Sequence, residues 1–175
     1  TQTYKDVFGD EGSEIHFPDK PEAVQLPANA NDLSVRFQPE QYKAELLSSN
    51  TQYGHTFSPW GHYFQTSNAN HLYHEVIQAP YLARKPHLLI ADAMQYLPDY
   101  GRGVEVFAIT QNPEHQLLTD VGTITSACGI HWYTGGTFPK MYEDVIFTCE
   151  PTHNLIHADR LSPKESSFTA SRLWD

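Results

Sequence analysis

The chain has 175 residues, with 11 Lys and Arg against 21 Asp and Glu, for a net charge of −10 at pH 7. That length accommodates one domain with its own core. An acidic chain without a basic stripe excludes nucleic acid as a partner, and no apolar run approaches a membrane span, so no transmembrane segment is expected.

A 39% hydrophobic and 13% aromatic content, with 12 Pro and 10 Gly, predicts many short strands and turns. Residues 1–31 carry Gly9, Gly12, Pro18, Pro21 and Pro27 without a sustained period and read as an irregular arm. Residues 32–175 read as one structural unit. Leu33 to Phe37 and Tyr42 to Leu47 alternate apolar and polar residues around the turn Pro39-Glu40-Gln41. Ser58-Pro59-Trp60-Gly61 predicts a tight turn into a strand over Tyr63 to Thr66. The corner Asn68-Ala69-Asn70 then leads into Leu72 to Ile77, and these four strands make one expected blade. Residues 79–101 break the rhythm: Ala79 to Arg84 starts a short helix stopped by Pro86, and Leu88 to Met94 is a strand or a buried loop. Val104 to Ile109 is a further expected strand, followed by a turn over Asn112 to His115. From Cys128 the strand pattern resumes over Ile130 to Tyr133, Val145 to Cys149, Leu155 to Ala158 and Phe168 to Ser171, with a Gly135-Gly136 turn.

Within this pattern Tyr63 to His74 returns, degraded, as Ile146 to His157. Phe64, Leu72 and His74 recur at one constant offset as Phe147, Leu155 and His157. A repeated strand–corner–strand unit predicts a radial or stacked all-β architecture. Propeller blades run about 40–45 residues and at least about four close a ring. The expectation is therefore a partial β-propeller with one irregular insertion. The lack of an initiator Met and the ending at Leu173-Trp174-Asp175 add the expectation of a segment of a larger protein.

In such a fold the corners converge. They carry His55, Asn68, Asn70 and His71 in the first unit, and Glu150, His153 and Asn154 in the second. Imidazole, carboxylate and amide groups suit a divalent metal, sugar hydroxyls or quinone oxygens, although Asn at a corner also serves backbone geometry. Glu150, at the end of an apolar strand, reads as a metal ligand, a general base or a turn-stabilising acceptor. His74 and His157, at matching strand positions, read as residues with a packing or inter-strand hydrogen-bonding role. Trp60, Trp132 and Tyr133 stack on a sugar ring if exposed and fill the core otherwise. Cys128 and Cys149 form neither a CxxC nor a CxxCH and stand as free thiols or a disulfide. No nucleotide-binding or nucleophile-elbow motif is present.

Tyr53 to Phe64, Thr123 to Tyr133, Phe138-Pro139 and Phe147 to His157 carry a family resemblance. Over roughly Asp32 to Arg172 the chain resembles the propeller domain of bacterial membrane-bound dehydrogenases of the PVC-type haem-binding family. That domain is distantly similar to soluble quinoprotein glucose and sorbosone dehydrogenases. The resemblance implies a six-bladed ring in the periplasm, at the cell surface or outside the cell. It also implies pyrroloquinoline quinone and calcium at the mouth, with haem only on a separate domain. On that basis His55 or His153 would take a hydroxyl proton from a sugar or alcohol, with electrons passing to a quinone or an attached cytochrome. Asn68, Asn70, His71, Trp132 and Asn154 would contact substrate, and Glu150 the metal. The chain departs from the pattern where it matters for the cofactor. The family's cationic contacts fall on Asn50-Thr51 and near Thr152-His153, which hold no permanent cation. The alternative expectation is a non-catalytic propeller module in a cell-envelope assembly, binding glycan or a partner protein.

Overall fold

Short alternating stretches punctuated by Pro, Gly and Asn fold into three antiparallel sheets, with a single short α-helix among the described residues. This computed structural model describes residues 17–23, 33–85, 87–109 and 122–174. The all-β expectation holds. No helix among the described residues is long and apolar enough to cross a membrane. The chain gathers into two compact units, one of the described residues through Thr51 together with Ile77–Ala93, the other of Gln52–Val76 and Met94 onward.

In the first unit β1 (Val35–Gln38) pairs with β2 (Lys43–Leu46), Val35 lying opposite Leu46 and Gln38 opposite Lys43. A 3-10 turn over Pro39–Gln41 joins them and is closed by Tyr42 at φ 50°. Ser34 fastens the open end of the hairpin. It donates its N–H to the Ser49 carbonyl at 2.9 Å, and its hydroxyl accepts the Thr51 N–H at 3.0 Å. The helix α1 (Ala79–Ala83) carries a proline in its first turn, where the missing N–H costs no hydrogen bond.

The second unit holds two four-stranded meanders. One runs β3 (His55–Phe57), β4 (Tyr63–Ser67), β5 (Asn70–Glu75), β6 (Met94–Tyr96); the other runs β7 (Cys128–Trp132), β8 (Val145–Glu150), β9 (Leu155–Lys164), β10 (Ser167–Arg172). In both, order across the sheet equals order along the chain. This corrects the expected first blade: β1 and β2 form a sheet of their own, and the places assigned to them are taken by β3 and β6. Those edge strands have three residues each, too few to display a two-residue period. Residues 104–109, expected as a strand, contribute only a bridge between Glu105 and Thr123. The turn expected over Asn112 to His115 lies outside the described residues, as does most of the expected arm.

Turn chemistry sets the corners. The Ser58 hydroxyl accepts the N–H groups of Trp60 and His62 at 3.3 and 3.1 Å, and Gly61 supplies φ +86°. The β4–β5 corner is the two-residue turn Asn68-Ala69. The β8–β9 corner is a 3-10 turn, Pro151–His153, closed by Asn154 in the left-handed region at φ 55°.

The two meanders stack in register. At the leading edge the Trp132 N–H donates to Thr56 Oγ1 at 3.0 Å and the Gly129 N–H to the Tyr53 carbonyl at 3.2 Å, joining β7 to β3. At the trailing edge Asp99 donates to the Ala170 carbonyl and Ala170 to the Leu97 carbonyl, both at 2.9 Å. First strand meets first and last meets last. Between the sheets lie Phe64, Leu72, Leu97, Ile130, Trp132, Ile146, Leu161 and Ala170. Full burial of each large side chain in this set contributes about 1.5–3 kcal/mol. His74 stacks on Phe64 with centroids 5.1 Å apart, and its Nδ1 lies 2.9 Å from Ser167 Oγ.

Phe64→Ala should lower unfolding free energy by about 3–5 kcal/mol in urea denaturation, because its site is fully closed. Burial, with the nearby His62, lowers the His74 pKa to about 4. The unfolded chain therefore binds the extra proton between about pH 6.5 and that value. Stability should fall as pH drops through this window, and H74N should make the decline shallower in denaturation series taken at stepped pH.

Candidate functional site

Three segments of the second unit bring four polar side chains to one point. His71 stands near the start of β5, Tyr100 follows β6, and His157 and Asp159 sit two apart on β9 and so share a face. Asp159 Oδ1 accepts the Tyr100 hydroxyl at 2.6 Å, and Oδ2 lies 2.8 Å from His71 Nε2. Tyr100 Oη is 2.9 Å from His157 Nε2 and 3.1 Å from His71 Nε2. His157 Nε2 lies 3.5 Å from Asp159 Oδ2. The side chains of His71 and Asp159 are closed off from solvent, and that of His157 is 10% exposed.

This geometry fixes the protons. Burial alone would raise the Asp159 carboxyl. The hydrogen bonds from His157 and His71, with their charge interaction, outweigh it and hold the group well below the usual range. Burial lowers the His71 pKa against the opposing pull of Asp159. Tyr100 is pushed up by burial, and further by the charge of Asp159. At neutral pH an ionised carboxylate thus faces a neutral phenol and a neutral imidazole. His71 donates from Nε2, which leaves its Nδ1 buried without a hydrogen-bond partner among the described residues. Among the described residues, His71, His157 and Asp159 are the group of such ligands close enough to share one ion, their donor atoms all within 4.8 Å of one another.

A second knot lies at the β8–β9 corner. Glu150 is buried and accepts the Ser126 N–H at 3.0 Å and the Ser126 hydroxyl at 2.8 Å. His153, equally buried, lies with Nδ1 3.0 Å from Glu150 Oε1, and its Nε2 accepts the Gly122 N–H at 3.0 Å. With Nε2 accepting, Nδ1 must donate, so both ring nitrogens are engaged. The pair fastens the corner to residues 122–126.

The expected site residues therefore do not meet at one place. His71 joins the cluster with Asp159, while Glu150 and His153 hold each other. Asn70 accepts from Arg102 at 2.9 Å through its side-chain carbonyl. The Asn68 backbone N–H donates to Gln52 Oε1 at 3.0 Å, and Asn154 is an exposed left-handed turn residue. Trp132 is 3% exposed within the inter-sheet core and offers no stacking face to a ligand. His55 lies exposed on β3 beside Tyr63 and Phe57, with ring centroids at 5.4 and 6.0 Å. Burial of part of its ring lowers its pKa. Sequence reasoning missed Tyr100 and Asp159. The signal for Asp159 was the run His157-Ala158-Asp159, which on a strand aims imidazole and carboxylate the same way.

A family profile described as "Domain of unknown function (DUF7133)" matches residues 6–175. The chain belongs to this family. No curated protein and no solved structure matches it. In this DUF7133 chain the groups that the resemblance assigns to pyrroloquinoline quinone and calcium do not fit them. His153 has both nitrogens committed, and both Glu150 oxygens already accept hydrogen bonds, from Ser126 and His153.

Glu150→Ala should cost about 3–5 kcal/mol of unfolding free energy, since it strands a buried imidazole N–H together with the Ser126 donors. Calorimetric unfolding of the variant against wild type measures it.

Proposed function

We propose that this chain contributes two blades to a larger β-propeller of the cell envelope and binds carbohydrate along the exposed edge of its first blade. Two sequential meanders stacked edge for edge are the arrangement of neighbouring propeller blades. The outer face of the second meander is apolar. Ile146 lies in the inter-sheet core, so Phe147 points the opposite way. Tyr133, Phe138 and Tyr142 gather around Phe147, and Ile156 is 66% exposed. A further blade would cover this face.

The observation that carries the binding reading is the aromatic ledge of β3 and the turn after it. Tyr53, His55 and Phe57 alternate outward, while Gly54 and Thr56 turn inward. Tyr53, Phe57 and Trp60 are 47%, 51% and 71% exposed. Trp60 is held edge-on by Trp132, with centroids 6.1 Å apart. Aromatic side chains offer large contact area with few torsions to freeze, and the C–H faces of sugar rings stack on them. A neutral His55 offers one donor and one acceptor, the pairing a sugar hydroxyl needs.

The oxidoreductase reading is favoured by one observation. His55 is exposed and its pKa is lowered, as suits a base that takes a hydroxyl proton. Its quinone and calcium would have to be held by groups other than Glu150 and His153.

Titration calorimetry of the intact protein with soluble polysaccharides should show saturable binding, weakened at least tenfold by W60A or F57A with the melting temperature unchanged. A folded protein that binds none of them overturns the reading. Adding pyrroloquinoline quinone with calcium separates the two readings: a saturable, calcium-dependent absorbance change would favour oxidation.

A further inference from the structure

We propose that His71, Tyr100, His157 and Asp159 bind a divalent transition-metal ion of the zinc class, which clasps the two meanders together. The proposal goes beyond the carbohydrate-binding reading and does not depend on it.

The donor set comes first. Two imidazole nitrogens, a carboxylate oxygen and a phenol oxygen suit a borderline ion such as Zn2+, whereas Ca2+ and Mg2+ favour shells built from oxygen alone. The spacing agrees. A tetrahedron with metal–ligand bonds of about 2.0–2.1 Å has edges of about 3.3–3.4 Å. The donor separations are 2.8 Å for His71–Asp159, 2.9 Å for Tyr100–His157, 3.1 Å for His71–Tyr100 and 3.5 Å for His157–Asp159. Those four separations lie within about 0.6 Å of the tetrahedral edge, and the donor atoms of His71 and His157 lie within 4.8 Å of each other. The donors come from β5, the segment after β6, and β9, so each meander contributes at least one of them.

Proton bookkeeping allows the exchange. To ligate through Nε2, His71 and His157 must each carry the ring proton on Nδ1, while Tyr100 would bind as the phenol and keep its proton in the hydrogen bond to Asp159 Oδ1. The His71 Nδ1 has no hydrogen-bond partner among the described residues, so its tautomer change forfeits no hydrogen bond there. His153 is the counter-case. Its Nε2 already accepts the Gly122 N–H, and ligation would strand that donor. Four protein donors in a closed pocket leave no open position for substrate, which is the pattern of a structural ion and not a catalytic one.

The intact protein, stripped with a chelator and dialysed against Zn2+, should retain one zinc per chain by atomic emission and gain melting temperature. Co2+ in its place should give the strong visible absorption of a tetrahedral site. D159N and H157Q should weaken retention at least a hundredfold, with W60A unchanged. H157Q preserves the buried His71–Asp159 hydrogen bond, so it decides the matter where D159N fails to fold. A folded wild-type protein that retains neither ion, or an H157Q variant that retains zinc as wild type does, overturns the proposal.

Discussion

A four-stranded meander has a face that water would otherwise wet, and the second unit is organised by the need to cover it. Phe64, Leu72, Trp132 and Ile146 satisfy that need between the sheets. Their packing fixes the distance and register at which every other inter-sheet contact must work. The backbone bonds at the leading and trailing edges follow from it, because stacked sheets in register bring β3 to β7 and residues 97–99 to β10. Trp132 shows the constraint acting on a single residue. Its ring fills the core, its backbone N–H donates to Thr56 Oγ1, and the same ring then props Trp60 on the surface. An exposed aromatic ledge held from behind by a core tryptophan is already ordered before any ligand arrives, which is the condition for stacking at low entropic cost.

The repeat made the stacked β architecture legible, because it rests on inward-facing apolar residues that both meanders need. Its detailed alignment was misleading. In the first meander Phe64 lies opposite His74, but in the second Phe147 lies opposite Ala158. The 3-10 corner with its left-handed Asn154 replaces a two-residue turn, and the pairing register changes with it. A one-residue change in register exchanges the faces of a strand, so Phe64 is buried while Phe147 faces outward. The edge strands were illegible for a different reason. Three residues carry almost no periodic signal, and β3 and β6 are defined by their neighbours' hydrogen bonds more than by their own side chains.

The histidines keep one face and differ in what they meet there: Phe64 lies opposite His74, whereas Ile146 lies opposite Asp159, two residues from His157. His74 and His157 match in the repeat, and the expected packing or hydrogen-bonding role is seen at His74, which stacks on Phe64, meets Phe168 edge-on and lies against Ser167 Oγ. His157 faces Asp159's side of its strand and enters a polar cluster. His71 was legible as a polar corner residue. Tyr100 was not, since nothing local in Pro98-Asp99-Tyr100 announces that the chain returns there to a carboxylate 59 residues on. Long-range convergence of this kind is a property of topology, and a single sequence carries it only through patterns such as the His-x-Asp run.

The two buried polar knots are chemically alike and physically different, and the difference lies in the backbone. At the β8–β9 corner main-chain N–H groups from Gly122 and Ser126 supply the hydrogen bonds, so every ring nitrogen and carboxylate oxygen of His153 and Glu150 is spoken for. Backbone donors cannot be withdrawn without unmaking the turn, so such a knot holds the fold at this corner. In the His71 cluster the hydrogen bonds described run between side chains, one ring nitrogen is unpartnered, and the shared protons sit on atoms that can also serve as ligands. A fold that needed only hydrogen bonds could close this point with fewer titratable groups. Gathering four of them, with two from one strand and one each from two other segments, instead places four side-chain atoms able to ligate a cation around one point between the meanders.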